Sequence, residues 1–152
     1  MRFVDILRPD CVLADLSGPS VQSVLAELSR PVAAQQGLEA KLLLDSLLAR
    51  EKLGSTGVGD GVAIPHCRVP GLNQVAASFG RSRPGIDFRS LDGKPTYLFV
   101  ALFAPERAGA EHLQALARVS RLLKRAPFRQ ALMDAADAPG LYSLIAEEDR
   151  QL

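Results

Sequence analysis

Two stretches near the start of the chain repeat apolar residues at helical spacing. Val21, Val24, Leu25 and Leu28 predict an amphipathic helix over 20–34. Pro19 and Ser20 suit its start, and Pro31 either kinks it or ends it early. Leu42, Leu43, Leu47 and Leu48 predict a second helix over 38–53, with Lys41, Asp45 and Glu51 on the wet side and Gly54 as its stop. The texture then changes. Gly54, Gly57, Gly59 and Gly61 leave no room for a helix, and small residues there let the backbone come close to itself or to a ligand. A short strand over 62–64 closes at Pro65, and further strands follow over 75–80 and 96–103. The last is apolar throughout, as a central strand covered on both faces must be. Asp92-Gly93 marks a turn between them, with 86–88 as a brief strand leading into it.

The remainder is helical. Over 111–125, Leu113, Leu116, Ala117, Val119 and Leu123 form an apolar side against a solvated basic side of Arg118, Arg121 and Arg125. Pro127 breaks this helix, and shorter ones follow over 128–135 and 141–148. Helices first, strands in the middle and helices last predict an α/β fold. Its mixed β-sheet is flanked by helices in a three-layer, sandwich-like single domain spanning 1–152.

Composition narrows the function. The 152 residues are 47% hydrophobic and 23% charged, with a formal net charge of +1. Such a chain has no global field to draw it to nucleic acid or to an anionic membrane, so any anion must be bound locally. Cys11 and Cys67 are too few for a disulfide framework. The longest apolar run, 97–104, is far short of a bilayer span, and Asp5 interrupts any secretory leader. A cytoplasmic chain with no membrane insertion is expected.

The candidate chemistry centres on two histidines. His66 follows Pro65 at the end of a strand, where ligands collect in α/β folds. Imidazole is a good nucleophile toward phosphorus near neutral pH and also a good leaving group. The spacing fits equally well a half-buried ring bonded to a backbone carbonyl. His112 lies in the first turn of its helix, where exposed N–H groups favour an anion, or it simply reaches solvent. Arg50 carries a guanidinium suited to a phosphoryl group, although arginines in a last helical turn are commonly solvated. Ser55 and Thr56 offer hydroxyls or serve as turn residues. The Gly57–Gly61 segment is no nucleotide fingerprint, since no helix opens after it and the Gly-Lys-Ser/Thr ending is missing. His66, Cys67, His112 and Cys11 match no common zinc spacing. Cys67 beside His66 makes a weak thiol-hydrolase pair, because neighbours on an extended segment point to opposite sides.

The run from Arg50 through Glu51, Lys52, Leu53, Gly54, Ser55, Thr56 and Gly57 to Ile64, Pro65 and His66 resembles a known signature. It is that of the fructose/mannitol-type IIA domain of the bacterial phosphoenolpyruvate:sugar phosphotransferase system, in particular its nitrogen-regulatory branch. Asp92-Gly93-Lys94-Pro95 with its following strand fits the same pattern, as does His112-Leu113. The likeness covers nearly the whole chain except the first dozen or so residues. Cys67 departs from it, standing where the family often has glycine. The resemblance implies that His66 accepts a phosphoryl group on Nε2 from an HPr-like carrier protein, flanked by His112 and Arg50, with no metal or organic cofactor. It further implies that Ser55, Thr56, Gly57, Gly59 and Gly61 give the carrier a close approach.

Three functions follow from that resemblance. The first is a regulatory phosphoryl carrier acting on proteins such as a sensor kinase or a potassium-transport component. The second is a sugar-specific IIA component donating phosphate to a IIB protein for fructose or mannitol uptake. The third is a regulatory binding module that has lost transfer.

Overall fold

The computed structural model describes residues 1–152. A short 3₁₀ turn at Phe3–Asp5 leads into β1 (Leu7–Leu13), followed by α1 (Val21–Gln36) and α2 (Ala40–Glu51). Four strands come next: β2 (Gly57–Gly59), β3 (Val62–Ala63), β4 (His66–Val69) and β5 (Ala76–Ile86). The chain ends with β6 (Thr96–Pro105), α3 (Ala110–Leu122), α4 (Ala126–Asp134) and α5 (Ala138–Arg150). None of these helices is long and apolar enough to cross a membrane.

The sheet is mixed. Its order is β1-β5-β6-β3-β2, and β4 also pairs with β6, in line with β3. β5 and β6 run antiparallel, as do β2 and β3, whereas β1 runs parallel to β5, and β3 and β4 run parallel to β6. β6 is the central strand, and every residue from Leu98 to Ala104 is buried, as its unbroken apolar run predicts. Side-chain alternation along β5 separates the two helical layers. Ser78 Oγ donates to Leu28 O of α1 at 2.7 Å. Arg81, three residues on and pointing the other way, donates through Nη1 to Leu132 O and Ala135 O at the end of α4. A single core of 37 buried residues joins both faces of the sheet to the helices; each fully buried Leu, Val or Phe contributes about 1.5–3 kcal/mol.

Local chemistry explains most element ends. Ser20 caps α1 by accepting from Ser23 N at 3.2 Å, and Ser23 Oγ accepts from Ser20 N in return. Pro31 neither ends α1 nor shortens it; the helix continues to Gly37, whose φ of 68° closes it. Pro127 and Pro139 stand in the first turns of α4 and α5, where a missing N–H costs nothing.

Several elements fall outside the sequence expectations, β2 and β4 among them. β1 was not anticipated, because Arg8-Pro9-Asp10 reads as a loop; the strand tolerates Pro9 because β1 is an edge strand with a register break there. The segment 86–88 is no separate strand, since β5 runs straight to Ile86. The buried stripe of α3 is His112, Ala115, Val119 and Leu122, while Leu113 is 69% exposed and Ala117 is also exposed.

The solvated basic side expected of that helix is corrected at Arg118. Its Nε lies 2.8 Å from Asp149 Oδ1, with the arginine side chain 18% exposed and the aspartate fully buried. Asp149 Oδ2 also accepts from Val4 N. The pair ties α3, α5 and the N-terminal turn together, and removing one partner would cost about 3–5 kcal/mol.

Candidate active site

β3 and β4 lie end to end along one edge of β6 with the same offset, Val62 opposite Leu98 and His66 opposite Leu102. They form one strand interrupted at Ile64-Pro65. Pro65 has no N–H to give, but its carbonyl still accepts from Leu102 N at 2.9 Å. Ile64, out of phase by one residue, turns its polar groups the other way. Its N–H donates to Thr56 O at 3.0 Å, and its carbonyl oxygen sits 2.7 Å from Nδ1 of His66. A carbonyl only accepts, so Nδ1 carries a proton, and in the neutral ring the unshared pair lies on Nε2.

His112 is the third residue of α3 and is 7% exposed. Its ring meets that of His66 edge-on, with centroids 5.9 Å apart and planes at 72°. Nε2 of His112 is buried and has no hydrogen-bond partner, as is true of Arg81 Nη2, Ser90 Oγ and Thr96 Oγ1, which leaves it free to bond a ligand. Burial, then the proximity of His66, then the charge of Arg68 hold its pKa below the usual value. Arg50, half-buried in the last turn of α2, donates from Nη1 to Gly54 O at 3.0 Å. His66, His112 and Arg50 all line one cavity of about 590 Å³.

Three elements build that cavity. α2 supplies Ser46, Arg50 and the exposed Leu53 just past its end, β4 supplies His66, Cys67 and Arg68, and the approach to α3 supplies Glu106 and His112. Arg68 and Glu106 were missed from sequence. Arg68 was findable, because two residues beyond His66 on an extended segment is the same face. Cys67 points the other way and is buried, and that burial pushes its thiol up to about 12.

The remaining candidates do not line the cavity. Thr56 is buried beneath Glu51, which accepts from both its N–H and its hydroxyl. Ser55 Oγ donates to Phe88 O at 2.7 Å. A side chain at Gly57 would meet the Ser90 backbone at 3.0 Å. Gly59 precedes a tight turn whose two residues, Asp60 and Gly61, both have positive φ, 58° and 75°, the Asp-Gly form of a two-residue hairpin. Asp92 steadies that turn by accepting from Asp60 N at 3.1 Å and from Lys94 N at 3.0 Å. Those two backbone bonds hold its carboxyl below the usual range.

Residues 5–148 match the family described as the phosphoenolpyruvate-dependent sugar phosphotransferase system, EIIA 2. The chain belongs to that family. Among its EIIA 2 relatives, a nitrogen regulatory protein of Bradyrhizobium diazoefficiens is 42% identical over 96% of this chain and 95% of its own length. One from Pseudomonas aeruginosa is 37% identical over 97% and 96%. The crystal structure of nitrogen regulatory protein IIA-Ntr from Neisseria meningitidis superposes with a TM-score of 0.86 at 33% identity, covering 93% of this chain and 97% of that one. Phosphoryl transfer is the chemistry of the EIIA 2 family. An imidazole nitrogen in one cavity with a guanidinium and a second, unpartnered imidazole has the groups for it, since positioning and charge dominate that reaction.

Proposed function

We propose that the chain is a phosphoryl carrier in nitrogen-related regulation, and that it accepts the phosphoryl group on Nε2 of His66 from an HPr-like phosphohistidine protein. One observation carries this reading: the 2.7 Å contact between His66 Nδ1 and Ile64 O. It fixes the proton on the far nitrogen and leaves Nε2 as the nucleophile. In the transfer the Nε2 electron pair forms a bond to phosphorus. The donor's N–P bond breaks, and its electron pair returns to the donor imidazole. The His66 ring gains positive charge as the new bond forms, and the Ile64 carbonyl stabilises that charge through the Nδ1–H it already holds. Arg50 and His112 Nε2–H neutralise and orient the phosphoryl oxygens.

The regulatory role is supported by the nitrogen regulatory proteins at 42% and 37% identity, which match over nearly their full length. Phosphorylation would add about 1.5–2 negative charges at a cavity mouth otherwise rich in cations, enough to change which protein surface docks there. A sensor kinase or a potassium-transport component is the first class of recipient to test by pull-down with unmodified and phosphorylated protein. The decisive experiment incubates the chain with phosphoenolpyruvate and the purified enzyme and HPr-like carrier of the system. Wild type takes up one acid-labile label and His66→Ala takes up none. A labelled His66→Ala protein would overturn the assignment.

A further inference from the structure

We infer that Arg68 is a positioning residue for the phosphoryl transfer, acting as the tether that sets His112 against His66. The inference rests on the reading of His66 given above. Arg68 projects from the same face of β4 as His66, two residues on, and its guanidinium reaches across to the segment between β6 and α3. Nη1 donates to Glu106 O at 3.1 Å and to Ala108 O, with a longer approach to Pro105 O. No other side chain hydrogen-bonds to the backbone of residues 105–109; a single turn bond, Ala108 N to Pro105 O, is all the segment makes for itself.

Local sequence does not fix the entry to α3. Its N-cap is Gly109, with no side-chain cap and an irregular backbone at φ −109° and ψ −100°. His112 sits only three residues beyond that unsupported corner. The 5.9 Å edge-on approach of the two rings therefore depends on what anchors the corner, and the anchor comes from the strand that carries His66. A long cationic side chain suits this task, because one terminal nitrogen carries more than one N–H and so can reach both carbonyls. The same group bears on His112 electrostatically, since its positive charge is one of the three influences that keep that imidazole neutral.

The test is the initial rate of phosphorylation by the phosphorylated carrier, measured over a range of concentrations of this chain. Arg68→Ala should lower the maximal rate roughly ten- to a hundredfold, the scale of a small misplacement of a reacting group, with KM within about twofold. Arg68→Lys, which can still donate to the carbonyls, should recover most of that loss. An unchanged maximal rate, or a loss confined to KM, would show that Arg68 only attracts the partner and would overturn the tether. A second readout needs no phosphorylation. In the unmodified protein, Arg68→Ala should shift the ring resonances of His112 and speed amide exchange at Ala110 to His112, while β4 amides stay protected. Unaltered exchange and ring shifts would reject the tether even if His66 carries the phosphoryl group. Wild type that takes up no label would reject the reading of His66 and leave this second readout standing.

Discussion

The two histidines of the cavity sit in contrasting surroundings. His66 opens a strand held on β6 and donates a hydrogen bond from Nδ1–H to a neighbouring carbonyl, so one tautomer of the neutral ring is imposed by the backbone. His112 stands on the first turn of an uncapped helix, almost wholly buried, with a nitrogen that bonds to nothing. A ring pinned by the backbone suits a group that must present the same lone pair on every encounter. A ring left unsatisfied suits one whose partner arrives with the substrate. Leaving a buried nitrogen unpaired costs about 1–3 kcal/mol, and in the proposed transfer an entering phosphoryl oxygen would relieve it.

That contrast can be broken most severely from the side of His112. On the proposed mechanism, His112→Ala would remove a donor to the transferring group while leaving the acceptor in place. The protein should still be labelled on His66, at a rate lower by about a hundredfold, the usual loss for one donor to a developing anion. Stopped-flow quenching against the phosphorylated carrier measures it, and complete loss of labelling would mean that His112 is itself an acceptor. A smaller effect is expected from Arg50→Lys. The guanidinium is already anchored on Gly54 O, and a lysine replaces a planar fork with a single point charge. A loss of about tenfold, near 1.4 kcal/mol of transition-state binding, is the expected outcome. An unchanged rate would assign Arg50 to holding the turn after α2 alone.

Legibility from sequence divides along the same line. The helices α1 and α2 and the central strand β6 were readable, because periodicity reported them directly; the grouping of His66 with His112 and Arg50 was legible only through the family resemblance, since spacing alone suited His112 and Arg50 equally to solvated positions. β1 was not, since Arg8-Pro9-Asp10 in an edge strand gives none of the alternation that betrays a buried one. Nor was β4, whose His66-Cys67-Arg68-Val69 run owes its strand character to its pairing with β6 rather than to propensity. Arg118 read as solvated because its partner, Asp149, is 31 residues away. The glycines drew attention as a ligand surface, yet the hairpin turn and the close passage of Ser90 account for them. Tertiary pairing is the common reason in each case: what the chain needs at these positions is decided by a segment far along it.

The finest way to sharpen the comparison is titration. Burial, His66 and Arg68 lower the pKa of His112, so the folded protein refuses a proton that the unfolded chain accepts. For a base with a depressed folded pKa, the unfolded state binds more protons in the window just below the ordinary value of about 6.5, and stability falls as pH falls through it. Urea midpoints at pH 7.5 and 5.5 should therefore differ in wild type, with the protein weaker at the lower pH, and His112→Gln should narrow the difference. Phosphorylation reverses the pressure on the same ring. A dianionic group on His66 favours the charged imidazole, so the His112 resonance should titrate at higher pH in the phosphorylated protein than in the unmodified one. Identical titration curves in the two forms would mean that the phosphoryl group does not reach His112. The unpaired Nε2 would then be a packing fault rather than a waiting donor.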